Sequence, residues 1–164
     1  MTIVVLVHDI NPRNPLKRRM IEVSNMGDEN KDLIRRWFEE VWNQGQYKVV
    51  DEMLAPNAPS YGLVGGGSEP VRGPEALKAF QQSIRAAFPD IHVEVEDILA
   101  EEDRVAARFS ARATHTGDFL GIPPTGQTVI IPGMCIVRVR DGRIVESWNH
   151  YDLFGLLRQI GANP

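Results

Sequence analysis

The stretch Asp141–Gly161, DGRIVESWNHYDLFGLLRQIG, decides how the rest of the chain is read. Asp141-Gly142 is a strong hairpin turn signal. From Ile144 the residues alternate, and period two puts Ile144, Glu146, Trp148, His150 and Asp152 on one face of a strand. Leu153 to Ile160 then takes helical spacing, with Asp152 at the junction. An aspartate there is a good N-cap for the helix. It is also a carboxylate at the end of a strand, sharing its face with an indole and an imidazole.

Working outward, the upstream segments supply partners for this strand. Thr128 to Arg140 reads as a long strand with a break expected at Pro132-Gly133. Arg104 to His115 alternates Val105, Ala107, Phe109, Ala111, Ala113 and His115 against Ala106, Arg108, Ser110, Arg112 and Thr114. Ile91 to Leu99 alternates in the same way. The Gly117–Gly126 connection carries two prolines. Before the strands the period is helical. Leu33, Ile34, Trp37, Phe38, Val41 and Trp42 form one broad stripe from Asn30 onward. Val49, Val50, Met53 and Leu54 suggest a short second helix. Leu77, Phe80, Ile84 and Phe88 line a third, opened by Gly73-Pro74. Pro59 to Pro70, with Gly65-Gly66-Gly67, reads as a mobile loop after a short strand. Three helices, a meander of long antiparallel strands and a closing helix make an α+β fold, a bent sheet with helices across its concave side. Such a cone encloses one pocket.

Bulk properties bound the functional classes. The chain has 164 residues, enough for one domain with a real core. Its net charge of −4 argues against a nucleic-acid backbone as partner. A single cysteine, Cys135, excludes an internal disulfide and a cysteine-rich zinc site. No apolar run approaches a membrane span, and the first residues lack the order of a secretory signal, so a cytoplasmic protein is expected. Residues 1–28 differ from the rest. They carry two Asn-Pro steps, and up to residue 25 four basic residues stand against two acidic ones. They read as a loosely ordered extension to a domain of residues 29–164. The extension could alternatively add an edge strand to a neighbouring subunit.

Asp152, His115 and His150 are the residues that could carry acid–base chemistry. Asp152 would serve as general base in a mostly apolar pocket, where desolvation helps a carboxylate take protons. His115 ends a strand on its apolar face, and His150 shares the face of Asp152. Glu146 reads instead as a strand carboxylate paired with Arg138 on the neighbouring strand. Trp148, Tyr61, Phe119 and Tyr151 could line a pocket for a flat aromatic ligand. Trp37 belongs to the first helix's apolar stripe and is both a core and a lining candidate. No histidine spacing suits a metal, and Gly65-Gly66-Gly67 lacks the dinucleotide spacing, so neither metal nor cofactor is expected.

Four motifs in order carry a family resemblance: Ala87-Phe88-Pro89-Asp90, the run THTGDFLGIPPTG at Thr114–Gly126, Asp141-Gly142-Arg143-Ile144-Val145-Glu146, and Asp152 followed by Leu156-Leu157-Arg158-Gln159-Ile160-Gly161. Together they resemble the SnoaL-like polyketide cyclase and ester cyclase family. The resemblance spans about residues 30–161. It implies the cone-shaped α+β barrel of nuclear transport factor 2-like proteins and a homodimer packed through its sheets, where Arg108, Ser110 and Arg112 could lie. It also implies a small hydrophobic, polyketide-like ligand and cofactor-free aldol ring closure, with Asp152 as acid and base. Ser60–Leu63 and Gly133–Arg140 carry no histidine, whereas many members have one in each place. Isomerase, dehydratase or epoxide hydrolase chemistry in the same pocket is therefore an alternative, as is a non-catalytic binding or dimerisation module.

Overall fold

The computed structural model describes residues 15–64 and 69–162. Helix α1 runs over Pro15–Arg36 and continues through Trp37–Asn43 with wider, π-type turns. It starts well before Asn30, so part of the expected extension is helical. Pro15 suits a first helical turn, and the following Leu, Lys, Arg, Met and Glu are good helix formers. Residues 1–14 lie outside the described residues, and with them the suggested edge strand of the arm. So does the glycine triple.

Helix α2 (Tyr47–Met53) and helix α3 (Gly73–Ala87) follow, with two short strands between them, β1 (Pro59–Tyr61) and β2 (Val71–Arg72). The meander is β3 (His92–Glu101), β4 (Arg104–Thr114), β5 (Thr128–Arg140) and β6 (Arg143–Tyr151), closed by α4 (Leu153–Gln159). The strands form one sheet in the order β2-β1-β6-β5-β4-β3. All pairs are antiparallel except β1 with β6. The sheet is curved and does not close, so the fold is a cone-shaped α+β architecture rather than a sealed barrel.

Two one-residue irregularities interrupt the ladder. In β3, Glu96 is extra between the pairs Val95–Phe109 and Asp97–Arg108. In β6, Val145 is extra between the pairs Arg138–Glu146 and Val139–Ile144. Such bulges bend a strand and increase its twist. The expected break at Pro132 does not occur: β5 runs through it, paired with Ser110 of β4. The Pro132 carbonyl accepts from the Asp152 N–H on the side where β6 has ended. The amide hydrogen that proline lacks would therefore have met no strand partner.

The core lies between the concave face and the helices. Val105, Ala107, Ala111, Ala113, Val129, Cys135, Val137 and Val139 point inward, as the alternation of β4 and β5 requires. Gly133 lets the Phe109 ring cross β5, since a Cβ there would stand 2.7 Å from the ring. Asn43 ties α1 to the sheet edge by copying a strand rung. Its Oδ1 accepts from the Val93 N–H at 2.7 Å and its Nδ2 donates to the Val93 carbonyl at 3.1 Å. The Asp90 carboxylate accepts from the Thr114 hydroxyl at 2.6 Å and the Thr114 N–H at 2.7 Å, fixing the end of α3 to β4. These bonds hold that carboxyl below its ordinary value, the hydroxyl contributing most.

Candidate functional site

Between sheet and helices lies a cavity of about 130 Å³. A void of about this size takes roughly one aromatic ring in the ligand-free packing. Its wall is mostly apolar. Helices supply Trp37, Phe38, Trp42, Leu77 and Phe80; the sheet supplies Val93, Phe109, Ile131, Cys135 and Ile144; Phe119 comes from the long β4–β5 connection. The stripes Leu33–Trp42 and Leu77–Phe88, legible as helix faces, thus become the roof of the cavity. Trp37, Phe119 and Tyr151 are among its lining residues.

Among the described residues, four polar side chains interrupt this wall, all at the β1–β6 edge: Ser60, Ser147, Asn149 and Tyr151. Asn149 Nδ2 donates to the Tyr61 carbonyl at 3.0 Å and to Ser147 Oγ at 3.2 Å. Ser147 Oγ in turn donates to Ser60 Oγ at 3.1 Å. The Tyr151 hydroxyl is buried and makes no hydrogen bond to a described residue. Burial pushes that phenol up from its ordinary value, with the nearby Val64 backbone amide partly offsetting the effect. Burial likewise pushes the Cys135 thiol up to about 11, so it is an uncharged wall group at neutral pH.

The Val145 bulge corrects the face read from the sequence. Beyond it the parity of β6 inverts, because one extra residue moves every later side chain to the other side. Ile144 faces the cavity, but the following inward residues are Ser147, Asn149 and Tyr151. Trp148 therefore lies on the outer face, where it stacks on Tyr61 with ring centroids 6.0 Å apart. The Arg138 guanidinium sits 5.8 Å from the Trp148 ring centroid. Trp148 and Tyr61 do not line the cavity. Glu146 is also outside, paired with Arg138 at 2.8 Å as the sequence suggested.

None of the three acid–base candidates lines the cavity in this conformation. Asp152 caps α4: its Oδ1 accepts from the Gly155 N–H at 2.7 Å, and the side chain is exposed. Gly155 permits this close fold, since a Cβ there would collide with the carboxylate. Yet Asp152 stands in the chain between two lining residues, Tyr151 and Leu156. His150 is exposed on the outer face. His115 is fully buried, but beside the cavity rather than in its wall. Its ring lies 5.3 Å from that of Phe88, and its Nδ1 stands 3.1 Å from Thr125 Oγ1. There it braces the β4–β5 connection, with its N–H bonded to the Gln127 carbonyl and its carbonyl to the Gly126 N–H.

The polar strip is what sequence reading missed. Ser147 and Asn149 looked like the solvent side of an alternating strand. No signal in the sequence marks their inward placement, since the register set by the Asp141-Gly142 turn, continued without a bulge, puts Glu146 and Trp148 inward instead. Among the described residues no group of three or more His, Cys, Asp or Glu side chains could hold a metal, and no helix is long and apolar enough to cross a membrane.

Comparison with known proteins agrees with this architecture. Residues 32–160 match the family model described as SnoaL-like polyketide cyclase. Aklanonic acid methyl ester cyclase DauD of Streptomyces sp. (strain C5) is 30% identical over 132 residues, covering 79% of this chain and 80% of the relative. Nogalonic acid methyl ester cyclase of Streptomyces nogalater is 28% identical over 122 residues, covering 73% and 89%. Among solved structures, IdmH of Streptomyces antibioticus superposes with a TM-score of 0.73 at 35% identity, covering 81% of this chain and 99% of IdmH. A SnoaL-like protein from Jannaschia sp. CCS1 gives 0.76 at 29%, covering 85% and 96%.

Proposed function

The chain belongs to the SnoaL-like polyketide cyclase family, and from that premise we propose that it closes a ring of a polyketide-type ester by intramolecular aldol addition, without cofactor. The observation that carries this reading is the Tyr151 hydroxyl: buried, without a partner among the described residues, in an otherwise apolar wall, and next in the chain to Asp152. The reaction needs a base for an acidic C–H and a neutral donor for the oxygen that becomes negative. Asp152 leaves the Gly155 amide when substrate enters and takes the proton from carbon beside a carbonyl. Tyr151 donates a hydrogen bond to the enolate oxygen. In an apolar wall that bond is worth more than in water, and its donor is already in place. The enolate carbon attacks a second carbonyl, one C–C bond forms, and Asp152 returns its proton to the new alkoxide. Substrate and product are isomers. An aspartate base working with hydrogen-bond donors is the logic of ketosteroid isomerase.

Tyr151→Phe tests the donor. With aklanonic acid methyl ester, the substrate in the name of the relative DauD, kcat should fall about 10²-fold. KM should stay within about twofold, because the bond strengthens only as the oxygen becomes charged. An unchanged kcat would remove Tyr151 from the mechanism. A second reading, ligand binding without turnover, is favoured by the absence of any carboxylate or imidazole among the described lining residues. It predicts saturable binding of the ester with no isomeric product by NMR.

The protein is further proposed to pair as a homodimer through the convex face of the sheet. Ile130, Met134 and Ile136 are exposed there on one side of β5. They stand opposite Arg112, Arg108 and Ala106 of β4 in the ladder. An apolar row flanked by basic residues suits a symmetric partner. Sedimentation at micromolar concentration should give twice the chain mass, and Met134→Glu should give the single-chain mass.

A further inference from the structure

We propose that Asn149 reads a hydrogen-bond donor on the ligand, so that the cavity selects rings bearing a hydroxyl at the β1–β6 edge. The inference rests on the cavity being the ligand site proposed above, and goes beyond it by naming a substrate feature.

Both amide hydrogens of Asn149 are committed. One goes to the Tyr61 carbonyl, which can only accept, and one to Ser147 Oγ. This fixes which end of the amide is nitrogen. The carbonyl end, Oδ1, accepts no hydrogen bond from a described residue, although Asn149 is part of the cavity wall. The side chain has little freedom to turn away. Its backbone is locked in β6 opposite Cys135, and Gly62 crosses so closely over the Asn149 carbonyl that any Cβ at 62 would collide with it. Gly62 has φ +74°, a conformation that glycine adopts without strain. Ser147 is held in turn by Ser60. The result is an oriented acceptor with no donor of its own among the described residues, in a wall that is otherwise mostly apolar.

An apolar ring placed there leaves that acceptor dry and unpaired, which is costly. A ring carrying a hydroxyl satisfies it. Two residues further along the same face, one pleat repeat of about 7 Å, stands the Tyr151 hydroxyl, which donates. The strip therefore presents acceptor then donor, complementary to a ligand edge with a hydroxyl near Asn149 and a carbonyl near Tyr151. Phenolic and enolic polyketide rings have that edge; plain hydrocarbons do not.

The test compares p-cresol with p-xylene, which share a shape and differ by a hydroxyl in place of a methyl group. Both are single rings that suit the observed volume. Binding is followed by calorimetry and ligand-observed NMR to wild type, Asn149→Leu and Asn149→Met. Wild type should bind p-cresol at least as tightly as p-xylene, although an apolar void would favour the xylene. Asn149→Leu should weaken p-cresol about tenfold while p-xylene stays within about twofold. Should Asn149→Leu fail to fold, Asn149→Met carries the same comparison with an unbranched chain. Equal losses for both rings, or no loss for p-cresol, would overturn the role of Asn149 while leaving the cavity as ligand site intact. Failure of wild type to bind either ring would remove the cavity as a ligand site and both proposals with it.

Discussion

Asp152→Asn is expected to lower kcat for ring closure by a factor on the order of 10²–10⁴, the usual range for a lost general base, while leaving the fold as stable as before. The two effects separate because asparagine caps a helix about as well as aspartate. In the resting structure Asp152 is a cap, bonded to the Gly155 amide. An amide oxygen at the same place accepts the same hydrogen bond but cannot take a proton from carbon. Asp152→Ala should lose both, with the same fall in kcat and a loss of about 1 kcal/mol in stability. Steady-state turnover of the methyl ester, set beside urea unfolding of the three proteins, reads each effect by itself. If Asp152→Asn turns over as fast as wild type, Asp152 is a cap and nothing more. Measurable binding with no turnover even in wild type would instead favour the ligand-binding reading.

How much of this could be read in the sequence depends on which physical signal each element carries. The helix stripes and the alternation of β4 are dense and apolar, and they placed Phe38, Leu77, Phe88, Val105 and Ala111 correctly inside. The family motifs fix the architecture, and the match over residues 32–160 bears that out. The face of β6 could not be read the same way. A bulge adds a residue without changing composition, and nothing in Ile144-Val145-Glu146-Ser147 marks Val145 as the extra one. Hydrophobicity also misleads there, since the largest apolar side chain, Trp148, packs outside on Tyr61, while Ser147 and Asn149 point in. Their inward placement is paid by hydrogen bonds to β1, a parallel partner more than 80 residues earlier. His115 shows the opposite case. Its inward parity was legible, but its strand ends at Thr114, and Phe88 and Thr125 hold the ring beside the cavity.

Deleting Ser147 should cost more than about 4 kcal/mol, whereas deleting Val145 should cost no more than about 2 kcal/mol. Val145 is the residue without a partner on β5: Ile144 pairs with Val139, and Glu146 pairs with the next residue back, Arg138. Its removal makes those two pairs successive rungs of a regular ladder. Ile144, Ser147, Asn149 and Tyr151 then stay inward, and Glu146 and Trp148 stay outside. What is lost is the extra bend and twist of a bulged strand. Removing Ser147 leaves no such route. If the bulge absorbs the loss, Glu146 takes the inward place of Ser147, which breaks its pair with Arg138 and sets a carboxylate against an apolar cavity. If the bulge stays, Trp148 turns inward and leaves its stack on Tyr61, while Asn149 and Tyr151 turn out of the wall. Urea unfolding of both variants beside the parent should therefore show a collapse of the midpoint for the Ser147 deletion alone. A Val145 deletion that lost more than about 4 kcal/mol would mean that the bend made by the bulge, and not the pairing, holds this strand in place.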